Sequence, residues 1–283
     1  MALRLITAFL GLLFTGISFN LNAGSIPTIQ PPRLGSAAAL VKDQQTGEYL
    51  VAKRTEDVMP IASITKLMTA MVVLDARLDL NEPITIKEED KDRLRHSQSR
   101  LWIGTHLTRR DALLLMLMAS ENRAARALGR TFPGGIPALV DAMNEKAFAL
   151  GLTDTKFEDP AGLSDGNVST AQDLSRLVAS ACCYPLICAY STQTETTIRS
   201  GKRRLNFGNT NTLVHSQRWH IGLSKTGYIH EAGNCLVMQV QLAQRPVLMV
   251  LLNSDGKKVR LRDAQRIKQW MERAQFSVKT GRR

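Results

Sequence analysis

The sequence predicts an α+β fold: strands from both ends of the chain form one antiparallel sheet, helices flank it, and a helical lobe is inserted between the two strand sets. Three observations predict this. Strand-length apolar segments bounded by turn residues occur near the N-terminus and again from about Ile221. The stretch between them carries helix starts and stops. An amphipathic helix follows the last strand.

In chain order, residues 1–23 have a basic start (Arg4), an apolar run from Leu5 to Phe19 and a small residue at Ala23, the layout of a secretory signal peptide. The run is short for a membrane span of about 20 residues, so cleavage is expected. No other stretch is long and apolar enough to span a bilayer. Residues 24–35 hold Pro27, Pro31 and Pro32 without periodicity and read as a linker. Ser36–Lys42 and Glu48–Lys53 flank a polar turn and read as a β-hairpin. A helix opens at Ser63 and runs to about Ala76, with apolar Ile64, Leu67, Met68, Met71 and Val72 at one-sided spacing. Asn81–Gln98 is polar and charge-mixed and reads as a solvated face or loop.

Thr108 and Asp111 form a capping box before Leu113–Met118, which is apolar on every side and should be buried. A second helix in this lobe breaks near Thr131–Gly135. A third, Pro137–Leu150, stops at Gly151. Ser169–Asp173 caps a fourth. Ile221–Tyr228, Asn234–Leu242 and Pro246–Asn253 read as strands, and Lys257–Ala274 as the closing helix. The expected organisation is a single catalytic domain over 36–276, its α/β part about 36–80 and 205–276 and its helical part about 81–204, followed by a basic tail at 277–283.

With 283 residues, 44% of them hydrophobic and 22% charged, the chain can build a packed globular core. The formal charge is +12. The cations are scattered, with one unbroken run at Lys202-Arg203-Arg204, and no aromatic residues interleave with them as a base-stacking platform would require. Nucleic acid is therefore not expected as a partner, and a polyanionic substrate is compatible.

Three short motifs carry chemistry. Ser63-Ile64-Thr65-Lys66 puts a hydroxyl and an amine on one face of a helix start, where unpaired backbone N–H groups make the local potential positive. Burial and nearby positive charge lower an amine's pKa, so Lys66 can serve as base to a Ser63 nucleophile. Ser-x-x-Lys alone is weak, and Ser254–Lys257 repeats it. Ser120-Glu121-Asn122 ends the buried helix, and Lys225-Thr226-Gly227 lies on a late strand. The weight comes from three motifs in order, each in its proper setting.

Together they resemble the motif set of the serine penicillin-binding proteins and β-lactamases, and most closely the low-molecular-mass D,D-peptidases of the endopeptidase type. Pro60–Arg77, Ser120–Ala125, Pro133-Gly134-Gly135, Asn209-Thr210-Asn211 and Lys225-Thr226-Gly227 carry the resemblance. It implies a β-lactamase/transpeptidase-like fold, an exported periplasmic enzyme, peptidoglycan as substrate and β-lactams as covalent inhibitors. It implies catalytic roles for Ser63, Lys66 and Ser120. It gives substrate binding to Asn122, Lys225, Thr226, Gly227 and Tyr228, with the backbone N–H groups of Ser63 and Tyr228 as oxyanion donors. Lys225 would lower the Lys66 pKa and attract a substrate carboxylate, Thr226 would bond that carboxylate, and Gly227 would leave room for the acyl group. The expected activity is D,D-endopeptidase; carboxypeptidase and, less so, β-lactamase are the alternatives, with Glu158 as a conceivable deacylating base.

The five histidines lack metal-ligand spacing, and no metal or cofactor is expected. Cys182, Cys183, Cys188 and Cys235 leave disulfide pairing open in an oxidising compartment, a short bridge from Cys188 included, with Cys235 read as a buried thiol.

Overall fold

The computed structural model describes residues 30–201 and 203–280, without the side chains of Ser200 and residues 275–280. The expected signal peptide, the linker up to residue 29, Lys202 and the last three residues of the basic tail lie outside the described residues.

The N-terminal hairpin is β1 (Ser36–Asp43) and β2 (Tyr49–Lys53). Asp43 shapes its turn, its carboxylate accepting from the Gln45 and Thr46 N–H groups. β3 (Met59–Pro60), a 3-10 turn (Ala62–Thr65) and α1 (Lys66–Asp75) follow. Then come β4 (Pro83–Thr85), β5 (His106–Thr108) and α2 (Arg109–Met118), which opens on the expected Thr108–Asp111 capping box. α3 (Asn122–Arg130) and α4 (Gly135–Ala149) lead to β6 (Val168–Ser169) and α5 (Ala171–Ala181), where Thr170 Oγ1 accepts from the Asp173 N–H. α6 (Pro185–Thr192) and the hairpin β7 (Glu195–Ser200) and β8 (Arg203–Gly208) precede β9 (His220–Ile229), β10 (Gly233–Leu242), β11 (Arg245–Ser254) and α7 (Lys257–Thr280).

The main sheet has five antiparallel strands in the order β2-β1-β11-β10-β9. N- and C-terminal strands meet at β1 and β11, where Leu40 lies opposite Val250. Both sheet faces are covered. Ala38, Leu40, Val237, Val250 and Leu252 join the core of the central helices. Ala39, Val41, Leu236, Met238, Met249 and Leu251 pack against Ala264, Ile267 and Met271 of α7. Burial on both faces explains why β11 reads as an unbroken apolar run. Ser36 ties the two chain ends together, since its N–H and hydroxyl both bond the buried Asp263 carboxylate of α7.

Several elements differ from the sequence reading. α1 is buried from Lys66 to Val73, on every side. Its spacing suggests one face because the polar Lys66 and Thr69 interrupt the apolar pattern, yet both are internal, Thr69 donating to the Pro160 carbonyl at 2.7 Å. Asn81–Gln98 is only partly a solvated loop: it contains β4, and Asp90 and Asp92 are buried. Between α5 and β9 the sequence suggests no elements, whereas α6 and the β7–β8 hairpin occupy it. Among the described side chains of that hairpin only Ile198, Leu205 and Phe207 are buried, and the charged residues among them hide the period. The closing helix continues past Ala274 to Thr280. Among the described residues no single helix is long and apolar enough to cross a membrane.

Candidate active site

Ser63 sits in the 3-10 turn that feeds α1. The turn is strained, with Ala62 at φ 48°, and such conformations persist only where the surroundings impose them. Here Thr65 Oγ1 donates to the Ala62 carbonyl at 2.8 Å and the Ile61 N–H donates to the Asn167 carbonyl at 3.0 Å. Lys66, in the first turn of α1, places Nζ 2.7 Å from Ser63 Oγ, 2.8 Å from Asn122 Oδ1 and 2.5 Å from the Ala161 carbonyl. In the neutral amine two of these neighbours can take its two N–H groups, Asn122 and Ala161, which leaves the lone pair toward the Ser63 hydroxyl. Lys66 is fully buried, and burial pushes its pKa down to about 7, against the opposing pull of Asp159, Glu121 and Asp92.

Lys225 lies on β9, the edge strand, with Nζ donating to Ser120 Oγ and to the Thr226 carbonyl, both at 2.9 Å. Its pKa falls well below the usual lysine value, chiefly by burial and then by the charges of Lys66 and Arg260. The sequence reading credits Lys225 with lowering the Lys66 pKa; at Lys66 the lowering comes from desolvation, because α1 lies inside the core, and it is the Lys66 charge that, after burial, lowers Lys225. Ser120 stands between α2 and α3 at φ 58°, a second strained residue. Glu121 caps α3, accepting from the Arg123 N–H at 3.2 Å, as a structural residue would. Asn122 opens α3 and donates one of its two Nδ2 hydrogens to Ser97 Oγ at 2.8 Å.

The remaining residues named from sequence also converge. Thr226 is nearly buried, and its hydroxyl donates to Thr210 Oγ1 at 2.6 Å. The Thr210 N–H in turn reaches the Met118 carbonyl at 3.2 Å, which joins β9 to the end of α2. Gly227 is crowded by the turn that carries Ser63: a Cβ there would lie 2.9 Å from the Ile61 carbonyl oxygen and 3.1 Å from the Ser63 nitrogen. Its missing side chain thus lets the strand meet that turn, a nearer constraint than room for an acyl group. The Tyr228 side chain is exposed.

Sequence reasoning missed residues that act through the backbone or by positioning. The Ala161 carbonyl holds Lys66, and a backbone acceptor leaves no mark in the sequence. Its loop is folded around Asp159, whose carboxylate accepts from the N–H groups of Ala161, Gly162, Leu163 and Ser164 at 2.7–3.0 Å. Asp159→Ala should lower stability by about 2–4 kcal/mol, from buried donors left unpaired, and slow acylation as the Ala161 carbonyl shifts. Urea unfolding and penicillin labelling check this, and a variant matching the wild type in both would show that the loop orders itself without Asp159.

Glu158 is exposed and bound to Lys156 Nζ at 2.9 Å and Ser164 Oγ at 2.7 Å, which gives no support to a deacylating role. All four cysteines are free; Cys188 Sγ donates to the Cys182 carbonyl at 3.5 Å, and Cys235 is buried. Among the described residues, no group of three or more histidine, cysteine, aspartate or glutamate side chains is placed to hold a metal ion.

A family model described as D-alanyl-D-alanine carboxypeptidase matches residues 26–256. The chain is similar to the D-alanyl-D-alanine endopeptidase of Pseudomonas aeruginosa, 45% identical over 281 residues that cover 98% of this chain and 90% of the relative. It is 42% identical over 247 residues to the D-alanyl-D-alanine endopeptidase of Escherichia coli, covering 87% of this chain and 80% of that one. Among solved structures, a Streptomyces DD-transpeptidase aligns with a TM-score of 0.79 at 27% identity, covering 86% of this chain and 98% of its own.

Proposed function

This chain belongs to the D-alanyl-D-alanine carboxypeptidase family, and from that premise we propose that it is a serine D,D-endopeptidase that hydrolyses the D-alanyl cross-links of peptidoglycan through an acyl-enzyme at Ser63. The observation that carries the reading is the 2.7 Å contact between Lys66 Nζ and Ser63 Oγ in a buried site.

In the first step Lys66 takes the hydroxyl proton as Ser63 Oγ attacks the scissile carbonyl. The carbonyl oxygen becomes an oxyanion, held by the N–H groups of Ser63 and Tyr228, each donor of this kind being worth about 10²–10³ in rate. The proton then passes through Ser120 to the leaving nitrogen, the amide bond breaks, and water releases the acyl group. Asn122 positions Lys66 and the substrate backbone. Lys225 and Thr226 receive the carboxylate next to the scissile bond, and Gly227 keeps the edge strand close. An extended peptide can lie along β9 as an added strand, with main-chain bonds supplying affinity.

Residues 36–276 are read as the catalytic domain, delivered to the periplasm by a signal peptide at 1–23. β-Lactams would acylate Ser63 in place of the peptide. The carboxypeptidase alternative is favoured by the description of the matching family; the endopeptidase reading is favoured by the relatives at 45% and 42% identity.

Purified protein given cross-linked and uncross-linked muropeptides distinguishes them by product mass. The endopeptidase converts dimers to monomers. Loss of terminal D-alanine alone would establish the carboxypeptidase instead. Fluorescent penicillin should label the wild type and fail to label Ser63→Ala.

A further inference from the structure

Three walls of the site around Ser63 meet at one side chain outside the three motifs. The segment Asn81–Gln98, whose mixed charges suggest a solvated loop, contains a tight turn from Asp92 to Ser97. The buried Asp92 carboxylate folds it: Oδ1 accepts from the N–H groups of Leu94 and Arg95 at 3.0 and 2.9 Å, and Oδ2 from that of Ser97 at 3.0 Å. His96 is held at φ 54° within the turn. Ser97 Oγ accepts from Asn122, which fixes the turn to the wall formed by α3.

The same turn sends Arg95 to the other two walls. Arg95 Nε donates to the Leu163 carbonyl at 3.0 Å, and Nη1 pairs with Glu231 Oε1 at 2.8 Å. Leu163 belongs to the loop folded around Asp159, in which the Ala161 carbonyl holds Lys66. Glu231 lies in the turn between β9 and β10, just beyond Tyr228. A guanidinium is planar and its donors point in fixed directions, so one that satisfies a carbonyl and a carboxylate together also fixes the distance between them. Lys225 already ties β9 to Ser120. The Arg95–Glu231 pair is a second tie between β9 and the helical part, so Thr226, Gly227 and Tyr228 are held from both sides.

We propose that Arg95 is a positioning residue for acylation, which sets the spacing between the loop that holds Lys66 and the end of β9 that carries the Tyr228 N–H. The inference rests on the acyl-enzyme reading above. Arg95 touches neither Ser63 nor Lys66; it acts through Leu163 and Glu231. Attack on the carbonyl and stabilisation of the oxyanion must occur together, and the groups that perform them come from different walls, so a small error in spacing lowers the rate.

Stopped-flow labelling with fluorescent penicillin over a range of concentrations separates the acylation rate at saturation from the half-saturating concentration. Arg95→Ala should lower the saturated rate about tenfold and leave the half-saturating concentration within about twofold, as for a geometry needed chiefly in the transition state. Glu231→Ala should lower the rate by a smaller factor, because the Leu163 bond remains. The double variant should be no slower than Arg95→Ala, as for two residues that act as a unit. Arg95→Lys should recover part of the rate, since it keeps a charge for Glu231 and loses the fork. Arg93→Ala removes an exposed charge from the same turn and should match the wild type. A role in folding alone would reduce the amount of protein labelled and leave the rate of the folded fraction unchanged. A wild-type saturated rate in Arg95→Ala overturns the proposal, and so does an equal loss in Arg93→Ala. A wild-type protein that penicillin does not label removes the acyl-enzyme reading, and this proposal with it.

Discussion

Lys66→Met is expected to slow acylation by fluorescent penicillin by about 10³-fold, within the range for loss of a general base. The replacement keeps the unbranched shape inside α1 and removes the nitrogen that lies 2.7 Å from Ser63 Oγ. The wild type should show the complementary pH dependence. A base must be neutral, and the Lys66 pKa is pushed down to about 7. Acylation should therefore rise with pH through about 7 and fall roughly tenfold per unit below it. The sign for stability follows from linkage. Below about 7 the folded protein carries a buried ammonium at full cost. Between about 7 and the ordinary lysine value of 10.5 the unfolded chain binds a proton that the folded one lacks, so stability rises with pH. Stopped-flow labelling between pH 5 and 9 is the measurement. A flat profile, or a Lys66→Met variant within threefold of wild type, would leave the serine without its base.

Gly162→Ala should be the most damaging single-methyl change near the site. The new Cβ would lie 2.0 Å from the Ala62 carbonyl oxygen and 2.8 Å from the Ser63 nitrogen, and the backbone is at φ +74°. Backbone atoms cannot swing aside as a side chain does, so the loop and the Ser63 turn must separate. Stability should fall by about 4 kcal/mol or more, and labelling of Ser63 should be lost in the protein that still folds. Gly151→Ala supplies the contrast. Gly151 has φ +67° and no atom within 4 Å of its would-be Cβ, so that variant meets only the dihedral penalty of about 1–2 kcal/mol. Thermal melts and labelling of both proteins decide the matter. If the two melt together and label equally, the close approach of the Gly162 loop has no part in holding Ser63.

The residues that sequence alone supplies are those whose geometry is local. Ser63 and Lys66 share a helix face by spacing, Thr108 and Thr170 cap helices through bonds to residues three positions on, and the apolar strands announce a sheet covered on both faces. Backbone hydrogen bonding fixes such relations within a few residues, so they can be read directly. The motif residues Ser120, Asn122 and Lys225 can be named in the same way, but their meeting cannot: Lys225 reaches Ser120 across 105 positions and Lys66 reaches Asn122 across 56. Only the packing of α1 within the core and of β9 at the sheet edge decides those distances. The same packing decides that burial sets the Lys66 pKa, that the Ala161 carbonyl and Ser97 hydroxyl complete the polar network, and that two glycines must stay bare where backbones touch. Desolvation, carbonyl direction and close backbone approach belong to the folded interior, and no residue type encodes them by itself.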